Sequence, residues 1–292
     1  MKATISLLML VCLCSLTACA QDMSGNHNHS NAASSPDTNV SQEWAKARLA
    51  KSPRHQEWVK IKNGTREVSS FVVYPENKNK ATAVIVIHEI FGMSDWVQSL
   101  TDQLAEAGYV AIAPDLLSGM GPNGGGTSSL SGNAVGQAIQ ALPPDQITGD
   151  LNAVADYISK VPASNGKIVV TGYCWGGGQS FRYATNNPNV KAAFVFYGPA
   201  PMSADGTPDK TALARIKAPV YGFYAGNDAR INATLPKTTE AMTELKKTYD
   251  PVTYEGAGHG FMRAGEAPDA NEANKKARDD AWARWKKLLA AI

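Results

Sequence analysis

Along most of the chain, short runs of consecutive apolar residues alternate with longer stretches in which apolar residues recur every three or four positions. The clearest runs are Ala83 to His88, Tyr109 to Pro114, Lys167 to Gly172, Ala192 to Gly198 and Pro219 to Gly226. Continuous apolar runs of this length suit strands covered on both faces. Between the first two, Val97, Leu100 and Leu104 fall on one helical face, with Ser94 placed to cap its start and Gly108 its end. Helical spacing also fits Asp145 to Lys160, Leu235 to Lys247 and Asn271 to Leu289. Strand, helix, strand in this order implies right-handed crossovers and a mostly parallel, doubly wound central sheet. Strands near Trp58 to Lys62 and Val68 to Tyr74 belong at an edge and are open to antiparallel pairing. Residues 53–292 are expected to form a single α/β domain around one large core.

The first residues follow another pattern. Met1 and Lys2 precede an apolar run from Ile5 to Ala18, with the basic start and short hydrophobic middle of an export signal. The run is short for a membrane span. It closes on Leu16-Thr17-Ala18-Cys19, which resembles a bacterial lipobox. That resemblance implies a signal peptide over residues 1–18, a diacylglycerol on Cys19 and a lipid anchor in the bacterial cell envelope, periplasmic or on the outer face. The plainer alternative is an ordinary secretory signal cut nearby. Residues 19–52 are then the lipidated N-terminus and a flexible tether, polar and small from Ala20 to Ser41. His27 and His29 within it read as solvated linker residues with no third metal ligand nearby.

Charge narrows the partners. With 28 Lys and Arg against 26 Asp and Glu, the net charge is +2, and +1 without Lys2, so no basic field favours nucleic acid. No sequence feature specifies an oligomeric state. Loss of the first 18 residues removes Cys12 and Cys14 and leaves Cys174 with only the lipidated Cys19 as company. Outside the cytoplasm a leftover thiol is either buried or kept for its reactivity. Gly119, Gly121 and Gly124 match G-x-G-x-x-G, but Pro122 and the following Gly-Gly-Thr-Ser-Ser make this a lid or plain surface loop, not the strand-to-helix turn a dinucleotide needs.

The chemistry centres on "KIVVTGYCWGG". An apolar strand runs into Gly172-x-Cys174-x-Gly176, and helix-compatible sequence follows. This is the context of a nucleophile elbow, whose glycines let the backbone turn sharply and lift the central side chain above the sheet. The α/β-hydrolase order then requires an acid and a histidine downstream. Asp228 follows the strand "PVYGFYAG", and His259 sits in "GAGHGF". Singly, such residues are often a core thiol, a turn former and a loop histidine. In this order they can serve as nucleophile, orienting acid and base.

Together "IHEIFGM", "GYCWGGG", "GND" and "GAGHGFMR" resemble the dienelactone hydrolase family, from roughly Gln56 to the C-terminus. The resemblance implies an α/β-hydrolase fold and a Cys174-His259-Asp228 triad that opens small esters or lactones through a thioester. It also makes Glu89 a partner of the resting thiol, released towards Arg263 when substrate binds. The oxyanion donors become the backbone N–H groups of Ile90 and Trp175. No metal or organic cofactor is needed. The family's second arginine, from before the elbow, has no counterpart: residues 81–159 hold no Lys or Arg and eight acids, and Arg230 in the Asp228 loop reads as a surface residue or, as the alternative, a substitute cation. Two other classes compete, a thiol-redox protein and a non-catalytic module of the same fold. The first lacks a C-x-x-C or resolving cysteine, and the second has no reason to keep Asp228 and His259.

Overall fold

The structure is a computed structural model, and it describes residues 42–292. The expected signal, Cys19 and the histidine pair at 27 and 29 lie outside the described residues.

Eight strands form one sheet: β1 (Gln56–Asn63), β2 (Arg66–Val73), β3 (Ala81–Ile87), β4 (Val110–Pro114), β5 (Ser164–Tyr173), β6 (Ala193–Phe196), β7 (Val220–Ala225) and β8 (Tyr249–Tyr254). Their spatial order is β1-β2-β4-β3-β5-β6-β7-β8. β1 with β2 and β2 with β4 are antiparallel, and the remaining pairs are parallel. The fold is therefore the mostly parallel α/β-hydrolase architecture, with the antiparallel hairpin at the edge expected for it.

Why β3 reads as unbroken hydrophobic sequence is visible in its two faces. Val84 and Val86 join the cluster around Trp96 and Leu100, whereas Ile85 and Ile87 join the one around Leu151 and Val154. Every residue of β3 is buried because helices cover both sides. The helix Asp95–Glu106 starts where expected, with Ser94 Oγ accepting the Val97 N–H at 3.3 Å. Helices Pro144–Lys160, Leu235–Glu244 and Glu272–Leu289 match their expected spans within a few residues.

Three features depart from the hydropathy reading. A helix, Glu43–Leu49, occupies part of the stretch assigned to the tether, with Ala45 fully buried and the Gln42 side-chain oxygen accepting the Trp96 N–H at 2.9 Å. Seven residues are too few to display a period, so the fold begins ahead of residue 53. A second unforeseen helix spans Ala134–Gln140. The glycine-rich loop, finally, is pinned in place. Asp115 accepts both the N–H and the hydroxyl of Thr127 at 2.8 Å, and Thr127 Oγ1 accepts the Met93 N–H at 3.0 Å. This buried bridge ties the loop to the segment that leaves β3.

β3 lies between β4 and β5, so successive crossovers leave it in opposite directions. In open parallel sheets such a switch point puts the ligand crevice beyond the carboxyl ends of the strands.

Candidate active site

Each predicted side chain is carried to that edge. Glu89 and Ile90 follow β3, Cys174 follows β5, Asp228 follows β7 and His259 follows β8.

At the end of β5 the chain turns into the helix Trp175–Asn186, and Cys174 at the corner has φ +55° and ψ −118°. For a residue with a Cβ such backbone costs on the order of 1–3 kcal/mol. Crowding enforces it. A Cβ on Gly172 would sit 1.9 Å from the Gly176 carbonyl oxygen, and one on Gly176 would sit 2.4 Å from that of Ile87. Only glycines let the elbow nest against the end of β3 this closely. The Cys174 N–H donates to the Phe196 carbonyl at 3.1 Å, tying the corner to β6.

The thiol is partly buried and has no disulfide partner among the described residues. Desolvation, then the neighbouring Glu89 carboxylate, push its pKa up to about 11, while the backbone N–H groups of Trp175 and Ile90 act on the sulfur in the opposite sense. The Arg230 guanidinium adds a smaller lowering influence. Both expected oxyanion donors thus favour the charged form of the sulfur.

The base and its orienter are joined directly. His259 Nδ1 lies 2.5 Å from Asp228 Oδ2, and the other carboxylate oxygen accepts the Ile231 N–H at 3.2 Å. A carboxylate held at both oxygens fixes the imidazole and assigns the proton to Nδ1, leaving Nε2 free to accept one. Among the described residues no hydrogen bond joins Cys174 to His259, so the thiol rests unengaged by the base.

Glu89 departs from its expected resting place. Its carboxylate accepts from Arg263 Nε at 2.7 Å and from the Tyr197 hydroxyl at 3.5 Å, and no hydrogen bond ties it to the thiol. It reaches Cys174 through its charge alone. The physical reason is that a carboxylate only 2% exposed needs a cation, and Arg263 is supplied by the next turn after His259. Gly260, at φ +79°, opens the short helix Phe261–Ala264 that swings the guanidinium back over the Phe91 ring at 4.9 Å.

Tyr197 escaped the sequence reading. Its ring packs edge-on against His259 with centroids 5.0 Å apart, its hydroxyl meets Glu89, and its φ is +40°. A phenol ending an otherwise apolar strand and preceding glycine was the available signal. The eight acids of residues 81–159 also look different in place. Asp102, Glu106, Asp145, Asp150 and Asp156 each face a cation, namely Arg54, Arg48, Arg182, Arg66 and Lys160. They are satisfied pairs, not a negative field over the cleft. Arg230 is exposed and has no ion pair among the described residues.

A strained cysteine elbow and a paired histidine and aspartate, all following strands at the carboxyl edge of this mostly parallel sheet, are the marks of an α/β-hydrolase. The model of the dienelactone hydrolase family matches residues 68–292, and the chain belongs to that family. A protein of Saccharolobus solfataricus named "Putative carboxymethylenebutenolidase" is 31% identical over 258 residues, 77% of this chain and 95% of that one. One of the same name from Escherichia coli (strain K12) is 32% identical over 208 residues, 69% of this chain and 73% of that one. A crystal structure from Klebsiella pneumoniae subsp. pneumoniae, described as "Putative Dienelactone Hydrolase", superposes with a TM-score of 0.70 at 27% identity, covering 82% of this chain and 99% of that one. The chain is a hydrolase of this family.

Proposed function

We propose that the protein cleaves small esters or lactones through a Cys174-His259-Asp228 triad and a thioester intermediate. The observation that carries this reading is the 2.5 Å contact of His259 Nδ1 with Asp228, at the same carboxyl edge of the sheet as a strained Cys174.

His259 Nε2 takes the thiol proton as the sulfur forms its bond to the carbonyl carbon. The displaced π pair moves to the carbonyl oxygen, which accepts from the Ile90 and Trp175 N–H groups. Collapse of this oxyanion breaks the carbon–oxygen bond, and the departing oxygen takes the proton back from His259. In a lactone the departing oxygen stays tethered to the acyl group. Water, deprotonated by His259, then attacks the thioester and releases the sulfur as thiol. Because the resting pKa of Cys174 is about 11, deprotonation must accompany attack. Arg263 is already engaged by Glu89, which leaves Arg230, without an ion pair among the described residues, as the cation that can meet a charged substrate group.

Single and double alanine variants test the unit. Cys174→Ala and His259→Ala should each lower kcat/KM by ~10³-fold or more, and the double variant should lose little beyond either single one. Multiplication of the two losses would contradict a shared triad. We further propose, from the lipobox resemblance, that Cys19 anchors the mature chain in the cell envelope. Intact-mass analysis of the membrane fraction checks it: a diacylglyceryl adduct lost in Cys19→Ala supports the anchor, and an unmodified wild-type chain refutes it.

A further inference from the structure

His88 is fully buried at the end of β3, and the mechanism above does not use it. Its Nδ1 lies 2.8 Å from the carbonyl oxygen of Glu89. A carbonyl only accepts, so Nδ1 carries the proton and donates. That same oxygen also receives the Gly92 N–H at 3.1 Å. The other ring nitrogen, Nε2, is buried without a hydrogen-bond partner among the described residues. Burial lowers the pKa of His88 and keeps the ring neutral, with its single proton on Nδ1.

The Glu89 carbonyl and the Ile90 N–H are two ends of one planar peptide unit, pointing in opposite directions. Whatever holds the carbonyl aims the N–H. A turned peptide would present the carbonyl oxygen to the sulfur in place of the donor, and the hole would not form. Accepting a hydrogen bond at the carbonyl also polarises the peptide and strengthens its N–H as a donor. The opposite wall of the hole meets the same ring: His88 and Trp175 stack with centroids 5.5 Å apart and planes 15° apart. Trp175 carries the second donor.

We propose that His88 is a positioning residue for the oxyanion hole, holding the Glu89–Ile90 peptide through its Nδ1–H and bracing Trp175 through its ring. An apolar residue would spare the core an orphaned polar nitrogen and the cost of desolvating it. The role in the hole accounts for an imidazole there. The inference rests on the proposed catalytic reading, in which Ile90 and Trp175 stabilise the oxyanion.

Two substitutions separate hydrogen bond from bulk. His88→Phe keeps a stacking ring and removes the donor, and His88→Gln restores an N–H within reach of the carbonyl. The expected result is a kcat for His88→Phe lower by ~10-fold or more, with KM within about twofold of wild type, and substantial recovery in His88→Gln. Affinity for a trifluoromethyl ketone, whose thiol adduct carries the oxyanion, should fall with kcat. Where His88→Phe does not fold, His88→Leu takes its place, since it too lacks a donor. Wild-type kcat and ketone affinity in the donorless variant, or no advantage of Gln over Phe, would overturn the assignment. Cys174→Ala run alongside distinguishes the failures: if it is inactive while His88→Phe is not, only the role of His88 falls, and if it is active the catalytic reading falls first.

Discussion

At the scale of single residues, the resting site is held off. The Cys174 thiol is raised by burial first and by Glu89 second, so at pH 8 roughly one part in 10³ is thiolate. A thiol with a raised pKa is neutral below it and ionises only as the pH climbs through it. Alkylation by iodoacetamide should therefore keep rising with pH towards 11 instead of levelling near the usual thiol value. Glu89→Gln removes the second cause and frees Arg263, so its profile should move to lower pH, with alkylation at pH 8 faster by about 3–10-fold. An unchanged profile would mean that Glu89 does not act on the sulfur. Cys174, Asp228 and His259 were legible in the sequence because each closes an apolar strand or sits between glycines in a fixed order. The resting position of Glu89 was not legible, because the choice between thiol and guanidinium depends on where the turn after Gly260 points Arg263. Tyr197 and the ring contacts of His88 were hidden for the same reason: both are set by how neighbouring strand ends approach in space.

At the scale of elements, the elbow depends on contact between two strand ends. Gly176 packs its α-carbon against the backbone oxygens of Ile87 and His88, where a Cβ would come within 2.4 Å of both. Gly176→Ala should destabilise the fold by about 1–3 kcal/mol and lower kcat by ~10²-fold, since the helix can yield only by moving Trp175 off the hole. Gly178→Ala is the control, because its Cβ would meet Pro199 at an ordinary 3.4 Å. Thermal melts and kcat of the two variants check this, and equal behaviour would contradict it. Apolar runs betrayed the central strands because both faces are covered. β8 was harder to read, since Asp250 and Pro251 lie within it at the open edge of the sheet. The helices Glu43–Leu49 and Ala134–Gln140 are each seven residues long, too short for a hydrophobic period to stand out.

At the scale of the molecule, the described fold starts at residue 42, and its first helix lies against the helix Asp95–Glu106. The join is reinforced by Asp102, which takes Ser52 Oγ at 2.5 Å and Arg54 Nη2 at 2.7 Å. A chain beginning at residue 42 should melt above one beginning at residue 53 by about 5–10 °C, measured by calorimetry, and equal melting temperatures would return the segment to a mere tether. The same whole-molecule view shows how one sheet can assemble the proposed site: four strand ends, remote in sequence, bring Cys174, His259, Asp228 and the backbone N–H groups of Ile90 and Trp175 to its carboxyl edge. The claim on which this account turns is that the substrate's acyl group passes through Cys174. An activated ester mixed with the protein, quenched in acid within the first turnover and mapped by peptide mass spectrometry tests it most directly. The account predicts one acyl group on the peptide containing Cys174, absent from Cys174→Ala. Turnover without any acyl group on that peptide, or with the group on another residue, would contradict it.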